Sequence, residues 1–122
     1  MSAQATTTGG GGRWRVGALV YSGRPDPSWD VEADVAAAWV RRFHDLQPAL
    51  TAPPDQARLG YRGVWLLAPD GRRWNAFLRL AWSAGDRRLD PGRMLERGLL
   101  ETAPAGTRPG QWSEWRAPDG GA

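Results

Sequence analysis

The chain has 122 residues, 41% of them hydrophobic, which is enough for one domain with a modest core and too apolar for a chain disordered throughout. It contains no cysteine, a single histidine (His44) and no lysine, all 16 basic residues being arginine. Those counts exclude disulfides, thiol nucleophiles, thiolate zinc sites, two-histidine metal motifs, Schiff-base chemistry on lysine and the phosphate loop that needs a lysine.

The sequence pI of about 10.5 overstates the charge at neutral pH, because without lysine the titration is dominated by arginine and the formal net charge is only +3. A dedicated nucleic-acid binder carries a larger and more clustered excess, so that role is disfavoured. No run approaches 18 apolar residues and the start of the chain has no charged and apolar leader pattern. A cytoplasmic protein without membrane contact, metal or cofactor is expected. Eight tryptophans supply large buried area to a small core.

Residues 1–12 end in four glycines and read as a flexible arm. Arg13 to Tyr21 alternates as a first strand, with Trp14, Val16, Ala18 and Val20 on one face. Ser22 to Ser28 is a stiff loop in which Pro25 and Pro27 bracket Asp26. A helix is expected from about Asp30 to Gln47, with Ser28 or Asp30 as cap and Asp30, Glu32 and Asp34 favouring the positive end of its dipole. Val31, Val35, Trp39, Phe43 and Leu46 form its apolar stripe, and Pro48 closes it.

Ala49 to Gly60 is an irregular connection, long enough to pack across a surface or to bind. Tyr61 to Pro69 and Arg72 to Ser83 read as the second and third strands, joined at Asp70-Gly71 in the manner of a type I′ hairpin. Ala84 to Arg88 reads as a charged turn. A second helix begins at Asp90-Pro91, a cap followed by the favoured first-turn proline, with Met94, Leu95, Leu99 and Leu100 facing inward. Gly98 either shortens this helix or permits close packing. Residues 104–122 form a Pro- and Gly-rich tail carrying Trp112 and Trp115.

The fold class expected is α+β: a small two-layer sandwich in β-α-β-β-α order over residues 13–103. A three-stranded sheet has both helices on one face, and a right-handed crossover makes the first two strands parallel. Its second face is expected to be apolar as well, with Leu19, Tyr21, Trp65, Leu67 and Phe77 beside Arg15 and Arg79. A sheet face open to water should read polar, so the long connection or the tail, a second copy, or another protein or a ligand should cover it, unless the strand phases differ from this reading.

Aromatic side chains mixed with arginine suit a protein-binding surface. The favoured function is therefore a non-enzymatic interaction domain, binding a partner protein or a second copy through Trp65, Phe77 and Arg79. The alternative is a small-ligand or anion-binding domain, with or without an enzymatic activity, built on Arg24 and Asp26 of the first loop and on Tyr61 and Arg62, which two glycines flank. Those groups meet only if the connection reverses the parallel geometry. His44 and Asp45 are helical neighbours pointing about 100° apart and do not face one cleft. No catalytic residue is assigned.

Overall fold

The computed structural model describes residues 13–20, 26–53 and 61–104; Arg24, the glycine arm and the Trp112/Trp115 tail lie outside them. The elements run β1 (Trp14–Ala18), β2 (Ser28–Val31), α1 (Ala33–Asp45), β3 (Val64–Leu67), β4 (Arg73–Phe77), β5 (Leu80–Ser83), β6 (Asp86–Leu89), a 3-10 turn (Pro91–Arg93) and α2 (Met94–Leu100). The strands form a six-stranded sheet in the order β2-β1-β3-β4-β5-β6, with every neighbouring pair antiparallel. The class is α+β, but the sheet is not three-stranded and the order is not β-α-β-β-α.

Three additions account for the difference. The first is β2. Its acidic residues resemble the opening of a helix, yet Trp29 is buried and Val31 pairs with Trp14 across the ladder while Ser28 and Asp30 face the other way. The helix starts only at Ala33, with the Ala36 amide donating to the Glu32 carbonyl at 3.0 Å. Because β2 turns the chain round before the helix, β3 returns beside β1 antiparallel rather than parallel.

The second is a break in the expected third strand at Leu78-Arg79, where both residues take positive φ (54° and 69°) and start β5. The third is β6, whose charged sequence reads as a turn but pairs with β5 from Leu80↔Leu89 to Ser83↔Asp86. The hairpin between β3 and β4 is also of another kind. The Gly71 amide donates to the Ala68 carbonyl and the Ala68 amide to the Arg72 carbonyl, so Pro69 opens the turn and only Gly71, at φ 95°, is left-handed.

The even-numbered residues of β1, β3 and β4 make the inner face with Trp29 and Ala81, and α1 and α2 cover it. Alanine-rich α1 sets Trp39 and Phe43 one turn apart with stacked rings 6.3 Å between centroids. The Trp39 indole N–H donates to the Leu95 carbonyl at 2.9 Å and locks the helices together. The Trp29 indole donates to Thr102 Oγ1 at 2.7 Å and fixes β2 to the end of α2. Each such fully buried aromatic contributes about 1.5–3 kcal/mol by area. Val35 and Met94, assigned inward from spacing, are instead 44% and 69% exposed.

Two glycines should respond to alanine with opposite sign. The helix runs through Gly98 to Leu100, and a methyl there would sit 4.0 Å from the Trp39 ring, an ordinary contact. Gly98→Ala is expected to stabilise the protein by about 0.5–1 kcal/mol. At Gly17 a methyl would lie 2.1 Å from the Trp65 ring. Gly17→Ala is expected to destabilise by about 1–3 kcal/mol, read as shifts of the urea midpoint in opposite directions.

Candidate functional site

Where β4, β5 and α2 converge, two carboxylates are closed off from water: Asp90 and Glu96 are 1% and 0% exposed. Asp90 accepts hydrogen bonds from the Leu95 and Glu96 amides at 2.8 and 3.1 Å and so caps α2 from across the 3-10 turn. Arg93 grips Glu96 at both oxygens, through Nε at 3.1 Å and a terminal nitrogen at 2.7 Å. The Tyr61 hydroxyl donates to Glu96 Oε2, and the Leu78 amide donates to Oε1 at 3.2 Å. The Asp90 amide in turn donates to the Arg79 carbonyl at 2.8 Å.

The cluster explains the break in the sheet. A two-residue hairpin with both positions left-handed ordinarily uses Asn and Gly, and Leu78 and Arg79 cost about 1–2 kcal/mol each in that region. Arg93 is left-handed too, at φ 58°. Leu78 and Arg93 are tied to the Glu96 carboxylate and the Arg79 carbonyl to the Asp90 backbone amide, so one buried acid and the backbone at the other hold the strained segment in place. Burial pushes both carboxyls up, against the amide and guanidinium hydrogen bonds that pull them down, and the neighbouring Asp90 charge adds to the rise at Glu96. Burial also raises the Tyr61 phenol far above its ordinary value, with the Glu96 charge and hydrogen bond adding to it. The phenol therefore stays a donor at any ordinary pH.

Asp26 and Arg62 meet, as they do only when the connection reverses the chain. Asp26 Oδ1 accepts the Val20 amide at 2.7 Å, and its other oxygen lies 3.8 Å from the Arg62 guanidinium. The Arg62 amide and the Gly63 carbonyl continue the ladder onto Leu19. This pair clips the β1–β2 loop to the entry of β3, where Gly63 takes a φ of 113°. An anion receptor built on Arg62 would have to displace a carboxylate already in place.

The outer sheet face is set by register. Gly17, Trp65, Asn75 and Trp82 lie in one cross-strand row, Arg15, Leu67 and Arg73 in the next. Trp65 lies across the bare backbone of Gly17, and the Arg73 guanidinium sits 5.1 Å from its ring centroid. Partial burial lowers the Arg73 pKa from its ordinary value. Phe77 belongs to this face but is buried, against Leu80, Trp82 and Ala49, with Tyr61 edge-on at 5.7 Å. Residues 47–49 pair with β6 through the Ala49 amide to the Arg87 carbonyl (2.7 Å) and the Leu89 amide to the Gln47 carbonyl (2.8 Å). The connection thus wraps the β6 edge and seals the Phe77 end.

Of the residues singled out from sequence, Asp26, Tyr61, Arg62, Phe77 and Arg79 come to one end of the sheet, and Trp65 stays on the outer face. Arg79 moves from that face into the turn. Because the strand phase flips at that turn, Leu80 and Trp82, expected inside, face outward with Phe77. Glu96 and Arg93 drew no notice in the sequence; their i,i+3 spacing directly after a helix cap was the available signal. No protein-family model, curated protein or solved structure matches the chain.

The carboxyl cluster fixes the sign of a pH dependence. Its raised values mean that the folded state binds protons more tightly than the unfolded chain, so its contribution is full below about pH 4 and is lost as the pH rises through the raised values. Asp70, held down by the Arg72 amide, and Asp86, held down by the Arg88 guanidinium, contribute with the opposite sign. Comparison with Glu96→Gln cancels those two. The stability of wild type minus that of Glu96→Gln should shrink as urea denaturation is repeated from about pH 4 upward. A difference that grows would mean that Arg93 outweighs burial. Arg93→Met, which strands Glu96, is expected to cost about 3–5 kcal/mol at neutral pH.

Proposed function

We propose that the protein is a non-enzymatic interaction domain whose outer sheet face binds an acidic segment of a partner protein. The observation that carries this reading is the Trp65–Arg73 stack. The guanidinium lies on the indole and hydrogen-bonds Asn75 at 3.3 Å, and no carboxylate described in the structure pairs with it. A stacked arginine is held in one orientation and is less well hydrated than a free one, so it loses less on meeting a carboxylate.

The surrounding charges favour the same partner. Arg13 and Arg15 converge on Asp30, the one carboxylate among the described strand residues of this face, at 3.0 and 2.6 Å. Among the described residues Arg87 reaches only the Thr51 carbonyl, at 3.2 Å. The face is therefore net positive. A second copy docked face to face by a twofold axis would oppose guanidinium to guanidinium, which disfavours this face as a homodimer interface. With Phe77 sealed, the surface narrows to Trp65, Leu67 and the flanking arginines.

Titration of the 15N-labelled protein with a synthetic peptide of alternating Glu and Leu should shift the Trp65 indole N–H and the Arg73 and Arg87 resonances. Arg73→Glu should weaken the interaction by about tenfold, with the melting temperature little changed. Shifts confined to other parts of the molecule would contradict the reading, as would tighter binding of single-stranded oligo-dT to the same residues.

A further inference from the structure

A second surface lies on the opposite layer, between the C-terminal end of α1 and the start of α2. A cavity of about 310 Å³ opens there, walled by Leu46, Pro91, Met94 and Leu95, with Asp90 at its floor, where the Leu95 and Glu96 amides hold its carboxylate, and with Arg42 and Asp45 beside them. Arg42 also borders a further cavity of about 240 Å³ along the same interhelical groove, formed with Val35, Ala38 and Trp39. Met94, at 69% exposed, and Val35, at 44%, stand at this groove instead of filling the core.

The charged pair is the part that folding does not explain. Asp45 ends α1, where a carboxylate meets the negative end of the helix dipole. Among the described residues neither its side chain nor that of Arg42 has a hydrogen-bond or ion-pair partner, although opposite charges three residues apart on a helix can pair. An arginine at position 45 would suit the isolated helix better. What an apolar groove bearing one unpaired cation and one unpaired anion fits is a copy of itself. A twofold axis would set Arg42 of each copy against Asp45 of the other and bring the two exposed Met94 side chains to the facing cavities.

We propose that the protein forms an isologous homodimer through this α1–α2 groove, with the reciprocal Arg42–Asp45 pairs setting its register. The exposed charges of the groove, Arg42 and Asp45, are balanced and self-complementary, Asp90 being buried, whereas the outer sheet face is positive and is not. The dimer would therefore leave the outer face of each copy free.

Sedimentation velocity of the full chain up to about 0.5 mM should show a monomer–dimer equilibrium. Asp45→Arg opposes four arginines across the axis and should raise the dissociation constant by about tenfold or more. The same variant should melt at a higher temperature, because the helix dipole now favours residue 45, so a general loss of folding is distinguished from loss of the interface. The exchange Arg42→Asp together with Asp45→Arg restores complementarity and should restore the dimer, and Met94→Glu should weaken it. A wild type that stays monomeric throughout would overturn the proposal. So would a dimer indifferent to Asp45→Arg or to Met94→Glu, or one that the charge exchange fails to restore.

Discussion

The grip of Arg93, Tyr61 and the Leu78 amide on one buried carboxylate, Glu96, is the interaction on which this arrangement depends. It joins three stretches distant in sequence: the end of the long connection, the β4–β5 turn, and the 3-10 turn with α2. Asp90 works beside it, capping the helix with its side chain and holding the Arg79 carbonyl with its amide. Without the Glu96 acceptor and the Asp90 amide donor, two left-handed non-glycine residues in succession have no reason to exist, and β4 would run on through Leu78. The phase of β5 would then reverse, turning Leu80 and Trp82 inward and Ala81 outward. The identity of the outer face therefore depends on the Glu96 carboxylate and the Asp90 amide at the rim of the sheet.

That dependence explains what could be read from the sequence and what could not. The alternation of Trp14, Val16, Ala18 and Val20 and that of Val64, Leu66 and Ala68 identified their inner face, because apolar burial writes itself into a period of two. Trp39 and Phe43 identified the buried side of α1 in the same way. The turn at Leu78-Arg79 carries none of the residues that announce a turn, because its conformation is enforced by the Glu96 carboxylate, 18 residues beyond Leu78, and by the Asp90 amide. β2 was hidden by Asp30 and Glu32, acids that belong equally to a helix start and to the solvent side of an edge strand. β6 was hidden by Asp86, Arg87 and Arg88, each held by a partner rather than by water alone; Arg88 reaches the His44 and Leu46 carbonyls at 3.0 and 2.9 Å.

The candidate site was legible to a similar degree. Asp26, Arg62 and Tyr61 were recognisable as punctuation, and the antiparallel return of β3 is what brings Arg62 onto Asp26. Asp26 and Arg62 clip loop to strand, and Tyr61 donates to Glu96. The expectation of a second apolar face holds for Trp65 and Leu67, but the Gln47–Ala49 segment closes it over Phe77. The arginines give that face its character: Arg73 stacked on Trp65, Arg13 and Arg15 sharing Asp30, and Arg87 on the Thr51 carbonyl. The surface between the helices was not foreseen, since Met94 and Val35 fit an apolar stripe by spacing alone and Asp45 looked like ordinary solvated charge.

The central claim is that the buried acids, not local preference, hold the β4–β5 turn and through it the sheet. Native-state hydrogen exchange at the amides of Leu78, Asp90, Leu95 and Glu96 tests this most directly. If the account is right, all four exchange only through global unfolding, with the same free energy as the core amides of β3. A Leu78 amide that exchanges at the rate of an open surface turn, while the β3 amides stay protected, would contradict it.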